Sequence, residues 1–104
     1  MEIAFANKKL REICESKSKG GAELGANVYE SLKRRMQDID AAECLPELSW
    51  LDMVMNNDGS AVINFHSGYR LLAVVGNRNI LRDSEGKVDW NAVDRIKITE
   101  IEKL

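Results

Sequence analysis

In the stretch Gly68-Tyr69-Arg70-Leu71-Leu72-Ala73-Val74-Val75, a permanent cation stands at the mouth of an apolar run. Arg70 is either a surface stopper or a charge held rigid so that something anionic can meet it. A guanidinium suits the second role because its planar fork of donors matches carboxylate and phosphate oxygens. Four residues earlier lies His66, the only imidazole in the chain and a residue type fit for general acid work near neutral pH. The competing reading of His66 is a solvent-facing residue beside a turn, with no role. Arg78 and Arg82 can extend a phosphate-binding surface or be ordinary solvent-facing strand charges. Tyr69 can orient a base or merely cover a sheet. Trp50 and Trp90 can stack on bases or anchor a core. Lys33, Arg34 and Arg35 form a basic run that fits either an RNA or partner surface or a solvated helix face. Cys14 and Cys44 have no metal-ligand spacing with each other or with His66, so they read as reduced, buried thiols. No metal or cofactor is expected.

These residues must be positioned by a single domain, because 104 residues suffice for one core. At 44% hydrophobic and 31% charged residues, the composition is that of an ordinary globular protein and argues against disorder. No apolar run approaches the roughly 18 residues of a membrane span, and MEIAFANKKL lacks the apolar stretch of a secretory leader, so a cytoplasmic location is expected. The net charge of −2 conceals a segregation. Eight Lys/Arg fall in residues 1–35 and seven in 70–104, whereas the interval between Arg35 and Arg70 holds six acids and no base. A nucleic-acid binder usually shows a basic surface. This chain offers two basic patches separated by an acidic middle.

The elements follow from periodicity and turn chemistry. Residues 1–6 alternate as a short strand. Asn7 is a suitable N-cap for a helix from Lys8 to about Lys17, which Ser18-Lys19-Gly20-Gly21 should break. Leu24, Val28, Leu32, Met36 and Ile39 make one apolar stripe and predict a second, longer helix. Residues 43–59 are irregular, with Pro46 suited to the first turn of a short helix and Asn56-Asn57-Asp58-Gly59 a strong turn. Ser60–His66 and Tyr69–Val75 read as a hairpin around Ser67-Gly68. A further run, Asn79–Arg82, reads as a strand ending at the turn 83–86. Asp89–Val93 is one helical turn, and Arg95–Ile101 is the last strand. The expected architecture is α+β, with two N-terminal helices packed on one face of a twisted, mainly antiparallel sheet.

The hairpin register sets which side chains meet. With a two-residue turn, His66 faces Tyr69 and Phe65 faces Arg70. Ile63, Phe65, Arg70, Leu72 and Val74 then share one face, with Val62, Leu71, Ala73 and Val75 on the other. His66 points away from Arg70, which disfavours a catalytic pair between them.

The segment GSAVINFHSGYRLLAVV resembles the central hairpin of the HigB-like branch of the RelE/ParE toxin superfamily. The tail VDWNAVDRIKITEIEKL is similar to that branch's C-terminal segment, where an Asp-Trp pair precedes an Ile-x-Ile strand, and RRMQDIDAAECLPEL fits the end of its second helix. The resemblance implies the toxin of a type II toxin–antitoxin pair, neutralised by a helix-turn-helix, HigA-like antitoxin and reaching operator DNA only through it. It further implies a metal-independent mRNA endonuclease acting in the ribosome, in which a ribose 2′-OH attacks the adjacent phosphate and fixed cations stabilise the transition state. The strand arginine of the family's aromatic-Arg-Leu motif falls on Arg70, as phosphate stabiliser. His66 is then the weaker acid/base candidate, and Arg78, Arg82, Tyr69, Lys33 and Arg34 the RNA-facing candidates. Two other activities remain open on the same fold. One is DNA gyrase inhibition of the ParE type; the other is a non-catalytic, degenerate toxin that serves as antitoxin partner and co-repressor. The sequence departs from the family in ELSWLDMVMNNDG, which lacks the usual Lys or His, and in having no Asp-Tyr-His-like segment after Glu102.

Overall fold

The side chain of Asn7 accepts a hydrogen bond from the Leu10 N–H (2.8 Å), and helix α1 (Lys8–Glu15) starts there as its cap predicts. The computed structural model describes all of residues 1–104. Strand β1 (Glu2–Phe5) precedes α1. The expected break at 18–21 does not occur: Ser16 ends α1 and also caps a further helix, α2 (Lys17–Leu24), by accepting from the Lys19 N–H. The two glycines lie inside this helix. Gly20 is buried against α1 and Tyr29, and a Cβ there would fall into the Tyr29 ring and the Ile13 carbonyl. Close approach between helices, rather than a loop, therefore explains this glycine. The long helix α3 runs from Ala26 to Ala41 and carries the predicted stripe from Val28 onward, burying Leu32 and Ile39 completely.

The remaining strands are β2 (Met53–Met55), β3 (Ser60–His66), β4 (Tyr69–Val75) and β5 (Arg95–Lys103). With β1 they form one sheet in the order β1-β5-β4-β3-β2, in which only β1 and β5 run parallel. The α+β architecture with helices against one face of a mainly antiparallel sheet is thus what the chain adopts, with three helices where two were expected. Two strand assignments change. Met53–Met55, in the stretch expected to be irregular, forms the edge strand. Asn79–Arg82 is loop, with an isolated bridge between Arg82 and Val88 in place of a strand.

The hairpin register also differs from the expected one. Asn64, not Phe65, lies opposite Arg70, while His66 still faces Tyr69. Ser67 has an ordinary negative φ and only Gly68 is left-handed (φ 80°), so the turn is not of the mirror-image kind that lets both strands continue in register. A bulge at Phe65 absorbs the extra residue. Ile63 and Phe65 consequently join Leu71 and Ala73 beneath the helices, in one core with Leu10, Leu32, Ile39, Ile96 and Ile98. Val62, Asn64, Arg70, Leu72 and Val74 line the opposite, helix-free face. Of the two tryptophans only Trp90 anchors this core, its indole N–H donating to the Asn56 carbonyl (3.2 Å). Trp50 is 67% exposed, two residues beyond the short 3₁₀ turn Leu45–Leu48, whose Leu45 and Leu48 side chains are buried in the core. No helix is long and apolar enough to cross a membrane.

Candidate functional site

Pairings across β2 to β5 order the helix-free face into rows. Val54, Val62, Leu72 and Glu100 stand side by side in one row, and Asn64, Arg70 and Glu102 in the next. Arg70 occupies the centre of its row on the middle strand, so its backbone is fixed by neighbours on both sides. Its Nε–H donates to Glu102 Oε1 at 2.6 Å, and Nη2 contacts the same oxygen. Both side chains are about one-third exposed (35% and 29%). Neither Glu102 Oε2 nor Arg70 Nη1 has a hydrogen-bond partner within the chain. Asn64 completes the row, with its amide donating weakly to the Asp52 carbonyl (3.4 Å).

Access to this row follows from topology. Strand β1 pairs with β5 only as far as Ile98, so Glu102 has no strand on its far side. Glu102 is the last member of the row, with 29% of its side chain exposed. The only other cation of β5 on this face, within the paired region between Ile96 and Glu102, is Lys97, which pairs with Val74. Arg70 is therefore the one guanidinium of the central sheet face, and its immediate charged neighbour is an acid.

The other candidate residues lie elsewhere. His66 is on the helix side, its Nδ1 2.8 Å from Ser31 Oγ on α3, with the Tyr69 ring edge-on at 6.2 Å. It is half-buried and held, not the solvent-facing residue that its position beside a turn suggested, and it lies across the sheet from Arg70. Tyr69 packs against Phe65 and lies under the Lys103 ammonium (5.9 Å), also on the helix side. Arg82 donates to the carbonyls of Asn57 and Gly86 and so fastens the 76–89 loop. Arg78 lies at the far end of the sheet, in an open polar cleft of about 830 Å³ with Arg95, Glu2, Asp40, Glu43 and Asp94. Four acids against two arginines make that cleft a poor seat for a phosphate backbone. Lys33 and Arg34 are exposed on α3, and Lys33 borders a smaller cleft with Tyr29, Cys14 and Met36. Arg35 is mostly buried, pairs with Asp38 at 3.4 Å, and leaves its Nε without a partner.

Cys14 and Cys44 are both buried free thiols, as expected from their spacing. Burial pushes the Cys14 thiol up to about 12, with the Glu15 carboxylate adding to the effect. No cluster of His, Cys, Asp and Glu has the geometry to hold a metal ion. Sequence reasoning missed Glu102, because nothing local to a strand names the residue opposite it. The pairing of β4 with β5 was the signal that would have found it, since an arginine on a central strand needs only the register to name its partner.

The site is thus a single Arg–Glu pair, with one carboxylate oxygen and one guanidinium nitrogen free of hydrogen bonds, on the helix-free face of an α+β sheet. Comparison with protein-family models, with curated proteins and with solved structures returns no match to this chain.

Proposed function

We propose that this chain is the toxin of a type II toxin–antitoxin pair, of the HigB-like RelE/ParE kind, and that it cuts mRNA in the ribosome of the cytoplasm without a metal. One observation carries the reading: Arg70, the residue on which the family's strand arginine falls, is central on the sheet face that the helices leave free. A phosphate meeting a strand-mounted guanidinium requires little reorganisation, and stabilisation by such preorganised charge is commonly the largest catalytic term. The contact with Glu102 does not disable it. The pair uses only Nε and Nη2, so Nη1 remains for a charge-assisted hydrogen bond to phosphate, which is about twice as strong as a neutral one. The partner is an antitoxin of the helix-turn-helix type.

The test is expression of the chain without a partner protein. Growth arrest is expected, with mRNA cut within codons, and Arg70→Ala abolishes both. Normal growth during overproduction of the folded protein removes the proposal.

A second reading keeps the toxin fold and drops the chemistry. It is favoured by the lack of a second cation beside Arg70 on its face. In this reading the chain acts by binding, as a ParE-type inhibitor of DNA gyrase or as a co-repressor with its antitoxin. Inhibition of purified gyrase in supercoiling assays, with growth arrest that survives Arg70→Ala, selects the inhibitor; antitoxin binding without growth arrest selects the co-repressor.

A further inference from the structure

An RNA-cutting site that uses a 2′-OH needs a group to take the hydroxyl proton, and the sequence offered only His66 for that work. His66 is excluded by position, since it faces α3 and is bonded to Ser31 on the side of the sheet away from Arg70. The row that contains Arg70 holds one ionisable group besides it. We propose that Glu102 is the general base of the reaction and that Arg70 and Glu102 act as one unit; this rests on the endonuclease reading above.

The geometry favours this over a merely structural ion pair. Both contacts from Arg70 go to the same carboxylate oxygen, Oε1, which leaves Oε2 free to accept a proton. The Nε and Nη2 edge of the guanidinium holds the carboxylate in place, and the unpartnered Nη1 is left for a phosphate oxygen. A base must come within hydrogen-bond reach of the proton it removes, and Glu102 has the access for this because β1 does not extend alongside it. The ribose hydroxyl and the phosphate it attacks belong to the same nucleotide. A base and a phosphate clamp on neighbouring strands, opposite one another in register, match that demand.

The step balances without any further reagent except water. Glu102 Oε2 takes the 2′-OH proton as the 2′-oxygen forms its bond to phosphorus. The bond from phosphorus to the 5′-oxygen breaks, a 2′,3′-cyclic phosphate remains, and the departing 5′-oxygen takes a proton from water. Arg70 Nη1 stabilises the negative charge that builds on the non-bridging oxygens. The protonated Glu102 then returns its proton to solvent.

The experiment is single-turnover cleavage of mRNA on programmed ribosomes by the wild-type chain, Glu102→Gln and Arg70→Ala, each first shown to be folded by its thermal melt. Glu102→Gln retains an oxygen that accepts from Arg70 Nε, so a positioning role alone leaves the rate near wild type. A general base predicts instead a fall of about 10²- to 10⁴-fold in the cleavage rate, with ribosome binding unchanged. Cleavage by Glu102→Gln within a few-fold of wild type overturns the base and leaves the endonuclease reading intact. No cleavage by the wild-type chain overturns both.

Discussion

Ser31 Oγ and His66 Nδ1 lie 2.8 Å apart and join the middle of α3 to the last residue of β3. The bond is partly shielded and links elements 35 positions apart in the chain, so it contributes to stability and not to chemistry on the far face. A side-chain hydrogen bond of this kind contributes about 0.5–1.5 kcal/mol. The expected result of a double-mutant cycle on Ser31→Ala and His66→Ala is a coupling energy of that size, measured by urea unfolding. Under the proposed toxin function, growth arrest by His66→Ala, at matched protein level, is expected to equal that of the wild type. Loss of arrest in a folded His66→Ala variant would restore the imidazole to the site.

The two glycines of α2 separate backbone propensity from packing. Gly21 has open space where a Cβ would stand, whereas Gly20 is closed in by Tyr29 and the Ile13 carbonyl. Gly21→Ala is expected to raise stability by about 0.5–1 kcal/mol, the usual gain for alanine over glycine in a helix. Gly20→Ala must displace a buried tyrosine or push α2 away from α1, and is expected to cost about 1–3 kcal/mol, the range for overpacking. Thermal denaturation of the two variants checks the opposite signs.

The same pair shows where sequence reading stops. Periodicity located α3, the hairpin strands and β5, because apolar spacing is a local property of the chain. Gly20-Gly21 looked like punctuation, since nothing local tells that a neighbouring helix needs the space. The bulge at Phe65 is of the same kind. A Ser-Gly turn admits several geometries, and only the fit of Phe65 into the core selects the one that shifts the register. That shift moved Arg70 from an apolar row containing Phe65 into a row with Asn64 and Glu102. Arg70 itself was legible as a cation needing a partner. Its partner was not, because β4 and β5 are joined by a long loop whose length says nothing about register.

Cys14 supplies a pH prediction. Its thiol is raised from an ordinary 9.0 to about 12 in the folded protein, chiefly by burial and secondarily by Glu15. Folding therefore keeps the proton on, while the unfolded chain gives it up above about pH 9. The stability associated with the protonated thiol is fully present below pH 9 and is lost as pH rises from 9 toward 12. The slope of this single-group contribution approaches about 1.4 kcal/mol per pH unit at most within that window. Urea unfolding at a series of alkaline pH values, compared with Cys14→Ala, isolates it; the variant is expected to show a shallower alkaline decline. Iodoacetamide at pH 8 should label Cys14 only when the chain is unfolded, since a buried protonated thiol is a poor nucleophile. Rapid labelling of Cys14 in the native protein contradicts this.

Arg35 is the remaining conflict between sequence and surroundings. Its guanidinium reaches Asp38 at 3.4 Å, but its buried Nε finds no acceptor. An unsatisfied buried donor costs about 1–3 kcal/mol, and the long contact to a half-exposed carboxylate recovers little of that. Methionine keeps much of the aliphatic stem and carries no donor. Arg35→Met is therefore expected to be neutral or to stabilise the isolated chain by up to about 1 kcal/mol. Lys33 and Arg34, exposed on the same helix, should change stability by less than about 0.5 kcal/mol when replaced by alanine, as surface residues generally do. Equilibrium unfolding of the three variants distinguishes these outcomes. A loss of more than about 2 kcal/mol in Arg35→Met would mean that its Nε is satisfied after all, by water or by a side chain that moves.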